Sequence, residues 1–251
     1  MSALTLRIIA CVAMLLDHIG YMTGNTVLRI IGRIAFPIFV YLIYNGFRHT
    51  SSRFRYALRL AVFALISQVP FTLFSHGTVD FTHGNAMFTL LAGLLCIWSL
   101  DALRKIPILR WGTLLPTLVV CGLYYKGIIS SDYGIRGILF AIVFYCFDGK
   151  TWPKRMLMTV GTLLSVFYGY ILSWGVALLK WVLGNGFLLP SMTRWQFLQI
   201  FSLGALLFIF LYNGKKGNYP RGRKSAKLVQ YGFYAFYPLH QLVLWLIRIL
   251  F

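Results

Sequence analysis

Glutamate is absent from the 251-residue chain, and its five acidic residues, all aspartates, stand against 24 lysines and arginines. Charged residues fill only 12% of the positions, about half of what a soluble domain of this length carries. That shortage excludes an ordinary soluble domain. Cysteine is scarce as well: Cys11, Cys96, Cys121 and Cys146 lie in separate apolar stretches without paired spacing. This pattern excludes a disulfide framework or a cysteine-based metal site and leaves them as small core residues. No GxSxG elbow and no HExxH helix occurs, so neither a serine acyl-enzyme nor a zinc hydrolase is indicated, and no metal is expected. The first apolar run lacks a small-residue cleavage site and holds Asp17 and His18, so it does not read as a cleavable signal.

What is abundant is apolar surface. Hydrophobic residues make up 59% of the chain and aromatics 17%. Stretches long enough to cross a bilayer, about 20 residues each, recur throughout. The pattern predicts an all-α, polytopic transmembrane bundle of about nine spans, within a range of eight to ten. Helices are expected near residues 3–23, 26–48, 56–75, 86–103, 111–126, 134–147, 156–173, 196–212 and 229–250. No soluble insertion separates them, so residues 1–251 read as a single integral membrane domain. No internal repeat of the inverted-repeat transporter kind is visible.

A net charge of +19 suggests nucleic-acid binding only until the charges are located. They cluster in alternate loops, at 48–55, 104–110, 148–155 and 214–227, while 75–85 and 127–134 carry almost none. Retention of positive loops on the cytoplasmic side explains the excess and sets the N-terminus inside and the C-terminus outside. Residues 173–192 are ambiguous. Counting them as a span would put the 214–227 loop outside, so they read as an interfacial or re-entrant piece with Trp174 and Trp181 at headgroup level.

Charges inside the spans are harder to explain. Asp17 and His18 sit side by side in the first helix, and ionisable groups at that depth default to a functional site. Arg7 and His18 are eleven positions apart, three turns to within about 20°, so they share a face about 16 Å apart along the axis. The second span carries Arg29 and Arg33 on one face. A tight hairpin through Gly24-Asn25 brings Arg33 level with His18, and a buried arginine needs a counter-charge. Asp17 is read as the only acid at that depth, contacting Arg33, with Arg29 as the alternative partner. His240 follows Pro238 in the last span, and Arg59, Ser67, Gln68 and Pro70 lie in the third. Snorkelling to the headgroups would also account for Arg7 and Arg59, and a simple interhelical bond for His240.

A neutral imidazole can take a proton from an attacking nucleophile, and a neighbouring carboxylate can hold its tautomer. Without a covalent nucleophile, direct attack by an acceptor on an activated donor suits this inventory. Positive groups at one end of the stripe could hold a phosphate-bearing carrier with a pantetheine-length arm.

The segments "LRIIACVAMLLDHIG", "RIIGRIAFPIFVYLIYNGFRHT", "RYALRLAVFALISQVPF", "NAMFTLLAGLL" and "FYAFYPLHQLVLWLIR" resemble the TraX family of membrane proteins. The Arg7-x10-His18 spacing also resembles the first-helix motif of the larger acyltransferase-3 enzymes. The resemblance implies a multi-pass protein of the bacterial inner membrane that moves acetyl from cytoplasmic acetyl-CoA to an acceptor at the outer face. In that family the acceptor is the N-terminal amine of a conjugative pilin; an envelope glycan is the other acceptor class considered. Carried over, His18 is the proposed base and Asp17 its neighbour. Arg7, Arg33, Arg29, Arg59 and His240 are candidate cofactor-binding residues. One departure is Asn45, where an acid is expected before Gly46. Two readings compete with acetyl transfer: a small proton-coupled transporter, and a non-catalytic pilus or envelope assembly protein.

Overall fold

The computed structural model describes residues 1–104, 115–184, 189–218 and 223–250. Helices account for nearly all regular structure among them. The first helix, α1 (Ala3–Thr23), starts where the Ser2 hydroxyl accepts the Thr5 amide and ends at Gly24, whose φ of 70° is a left-handed conformation that favours glycine. Asn25 then caps α2 (Thr26–Gly32) through the amides of Val27 and Leu28. The expected hairpin is therefore present, and two small residues let it close. A Cβ on Gly32 would lie 2.3 Å from the Asp17 Cβ, and one on Gly20 2.8 Å from the Leu28 Cβ.

The expected second span, 26–48, is not one continuous helix. It breaks at Arg33-Ile34 before α3 (Ala35–His49). Pro37 explains the break, because it has no N–H for the Arg33 carbonyl and its ring crowds that position. Together α2 and α3 still form one apolar stretch, Thr26–His49, long enough to cross a membrane. Next come α4 (Arg53–His76), α5 (Ala86–Leu103), α6 (Leu115–Tyr125) and α7 (Gly134–Phe147). The predicted span at 111–126 begins on residues outside those described, as does most of the 104–110 loop.

Residues 173–192 depart from the expectation. Residues 173–182 are the end of one 31-residue helix, α8 (Trp152–Val182), rather than a separate interfacial piece. No proline follows Pro153 in this stretch to interrupt it. At 1.5 Å per residue α8 is about 46 Å long, well beyond a hydrocarbon core of about 30 Å. Residues 185–188 lie outside the described set. The predicted 196–212 span is likewise composite: α9 (Arg194–Leu198), a 3₁₀ stretch (Gln199–Gly204) and α10 (Ala205–Phe210). The last helix, α11 (Arg223–Leu250), runs on through Pro238.

Among the described residues, six helical stretches are long and apolar enough to cross a membrane, and three shorter apolar helices accompany them. Length thus supports six spans, not all nine. The long helices expose apolar side chains, as Leu65, Ile66, Leu164 and Ile247 do, and bury a second apolar set that includes Leu6, Leu60, Leu94 and Ile97. Helices apolar all round are those of a membrane protein.

One end of the bundle is basic. There the N-terminal ammonium donates to the Leu211 carbonyl at 2.6 Å, and the Ala3 amide donates to Lys215. At the opposite end two loops are stitched together. The Gly84 amide donates to the Ser130 carbonyl, the Asp132 amide to the Gly84 carbonyl, and Gln68 binds the carbonyls of Asp80 and His83 from below.

Gly32→Ala is expected to overpack the α1–α2 contact at a cost of about 1–3 kcal/mol. In a chain of this size that lowers the thermal midpoint by several degrees. Gly122→Ala, inside α6 with nothing within 4 Å of the added methyl, is expected not to lower it and to raise it slightly, since alanine is the better helix former. Thermal unfolding of detergent-purified protein checks both.

Candidate functional site

Bordered by α1, α2, α3, α4, α5, α7 and α11 is a cavity of about 480 Å³. Its wall runs from Arg7, Tyr56 and Gln230 toward the basic end to Tyr21, His76 and His83 at the other. Between Arg7 and Tyr21 the α1 axis rises about 21 Å, a length that an extended chain could follow. Arg7 and His18 both line it, so the face inferred from their spacing borders a single passage.

Asp17 organises the middle of the wall. Arg33 donates to both of its carboxylate oxygens, with Nε 3.2 Å from Oδ1. Arg29 adds a third bond at 3.0 Å to Oδ2 and lies over the Tyr21 ring. The two arginines expected as alternative partners are thus both engaged. Asp17 and Arg33 are 7% and 5% exposed, a depth at which neither charge persists without the other.

Asp17 does not hold His18, because neighbours on a helix diverge by about 100°. Another residue does. His18 Nδ1 lies 2.6 Å from His240 Nε2, and His240 Nδ1 lies 2.7 Å from the Phe236 carbonyl. A carbonyl only accepts, so the His240 proton sits on Nδ1 and its Nε2 accepts from His18 Nδ1–H. The lone pair of His18 then resides on Nε2. His18 borders the cavity with Phe74 packed edge-on against its ring, and His240 stands behind it, off the wall.

Arg7 lies over the Phe233 ring on the cavity wall. Arg59 is set back from the wall, over the ring of Tyr56, which does line the cavity. Among the wall residues not foreseen are His83, Asp132 and Arg136. Asp132 adds to the cavity wall a second acid besides Asp17. It arrives from the 127–134 loop, and nothing local in sequence announces that this loop pairs with 77–85. It borders the cavity, and desolvation raises its carboxyl above the usual range, opposed by the positive field of Arg33. Arg136 did leave a signal, as a cation within an apolar segment. It lies over Tyr168, and its buried Nε has no hydrogen-bond partner among the described residues. Asn45 lies on the other side of α3 and donates to the Tyr212 hydroxyl. No group of three or more His, Cys, Asp or Glu side chains gathers among the described residues to ligate a metal.

Asp17→Asn leaves two buried guanidiniums without a carboxylate and is expected to cost about 3–5 kcal/mol. Arg29→Gln is expected to cost less, since the two-pronged Arg33 contact survives. Thermal midpoints in detergent give the order: Asp17→Asn lowest, then Arg33→Gln, then Arg29→Gln.

With this geometry in hand, comparison with known proteins places the chain. Over 258 aligned residues it is 29% identical to a probable fimbrial assembly protein FimC, serogroup H1, of Dichelobacter nodosus, covering 95% of this chain and 92% of that protein. No solved structure matches. The family model described as TraX protein matches residues 2–248, and the chain belongs to the TraX family.

Proposed function

We propose that the protein is a membrane acetyltransferase with a pilus-related role, in the inner membrane of a bacterium, its basic end cytoplasmic. The observation that carries the reading is His18 on the cavity wall, its Nδ1 engaged by His240, with Arg7 on the same wall toward the basic end. Acetyl-CoA is the donor. Its phosphates remain at the basic mouth near Arg7 and Arg59, and its extended arm reaches along the cavity toward His18. The acceptor, a pilin amine or an envelope glycan hydroxyl, approaches from the end that holds Asp132 and His83. A pilin suits both the family and the relative's description as a fimbrial assembly protein.

The chemistry is a single displacement. The acceptor N–H or O–H gives its proton to His18 Nε2 as its heteroatom attacks the thioester carbonyl. The C–S bond breaks, and the departing thiolate takes the proton back from His18. His240 is a positioning residue: it keeps the His18 proton on Nδ1 and shares the imidazolium charge when it forms. Asp17 acts at one remove, fixing Arg29 and Arg33 and hence the helix hairpin that carries His18.

The cavity and its histidine pair also suit a proton-coupled carrier, which would move solute without any requirement for CoA. Labelled acetyl-CoA supplied to membranes separates the two readings. Acetylation of an envelope acceptor that falls about 10²–10⁴-fold in folded His18→Gln protein supports transfer. No labelling by the parent, or equal labelling by His18→Gln, defeats it. His240→Gln, whose amide oxygen can still accept from Nδ1–H, is expected to retain more activity than His240→Ala.

A further inference from the structure

A second cavity, of about 330 Å³, lies at the basic end on the other face of α3. Phe39, Leu42 and Ile43 face the main cavity, whereas Tyr41, Asn45 and Arg48 face this one, so the helix separates the two. The remaining wall comes from the 148–150 turn, the first turns of α8 and the end of α10.

Its charge is unbalanced. Asp148 is the one carboxylate on the wall, and it is already engaged by the hydroxyls of Tyr41 and Tyr44 and by Arg48 at 2.7 Å. Lys150 and Arg155 are left over. Arg155 lies on the Phe210 ring and donates one NH2 to the Phe210 carbonyl, and its buried Nε has no hydrogen-bond partner among the described residues. Tyr212 accepts from Asn45, which leaves its hydroxyl proton available, and the amide at 45 adds no negative charge.

We propose that this cavity binds a phosphate ester, held by Arg155, Lys150 and the Tyr212 hydroxyl. An acidic phospholipid headgroup is the favoured source. Trp152, 71% exposed at the start of α8, marks headgroup depth beside the cavity. Basic pockets between helices on the cytoplasmic side of membrane proteins hold such headgroups. The inference is independent of acetyl transfer.

Native mass spectrometry of the detergent-purified full chain tests it, with phosphatidylglycerol, phosphatidylcholine and inorganic phosphate as separate probes. The expected result is one retained phosphatidylglycerol that phosphatidylcholine does not replace. Arg155→Gln should lose it, and Lys150→Gln, an exposed substitution that spares the fold, should weaken it about tenfold. Arg104→Gln, an equal loss of charge at the same end, should keep it. Retention of inorganic phosphate in place of the lipid, lost in the same two variants, supports the site with free phosphate as its source. Equal lipid or phosphate binding by parent, Lys150→Gln and Arg155→Gln overturns the proposal, as does no binding of either by the parent.

Discussion

A single carboxylate holds two guanidiniums where there is little water to solvate any of them. Asp17 takes Arg33 on both oxygens and Arg29 on one, and much else follows from that contact. Three desolvated charges persist only if the backbones approach closely enough for short bonds. Gly32 permits the approach by presenting no Cβ to Asp17. Pro37 breaks the second span beside Arg33, and both α2 and α3 pack against α1. The charge cluster, the hairpin and the broken span are one solution to one electrostatic constraint.

The same constraint shapes the cavity. Because Asp17 is spent on arginines, the tautomer of His18 is held from another helix, through His240 and the Phe236 carbonyl. His18 is thereby fixed by α11 and backed by α4, whose Phe74 packs against its ring. The result is a base on the wall of a cavity, with Arg7 toward the basic end and an acid, Asp132, brought by a loop. The pairing of the 77–85 and 127–134 loops through main-chain bonds closes that end and positions Asp132, so the cavity depends on contacts made far from the charged cluster.

Some of this was legible in residue order because it is periodic or local. Arg7 and His18 share a face by helical geometry alone. The Asp17–Arg33 contact followed from a short turn and the cost of an unpaired ion. The cap at Asn25 and the turn at Gly24 are local chemistry. Other features depended on partners distant in the chain. His240 lies 222 positions from His18, and no rule of spacing links them. Asp132 lay in a loop whose pairing could not be read, and the continuity of α8 past residue 173 was obscured by the count of basic loops.

Composition and periodicity by themselves determined that this is an all-helical membrane protein, and that the first two helices carry a buried charge cluster on facing surfaces. They could do so because the cost of polar groups in hydrocarbon acts on every residue wherever its neighbours are. Only the tertiary structure decided which group holds His18, which acid completes the cavity, and that a second basic pocket lies behind α3. Those outcomes depend on hydrogen bonds and ion pairs of a few ångströms between helices that the chain joins by long detours, and the sequence pattern carries no record of such distances.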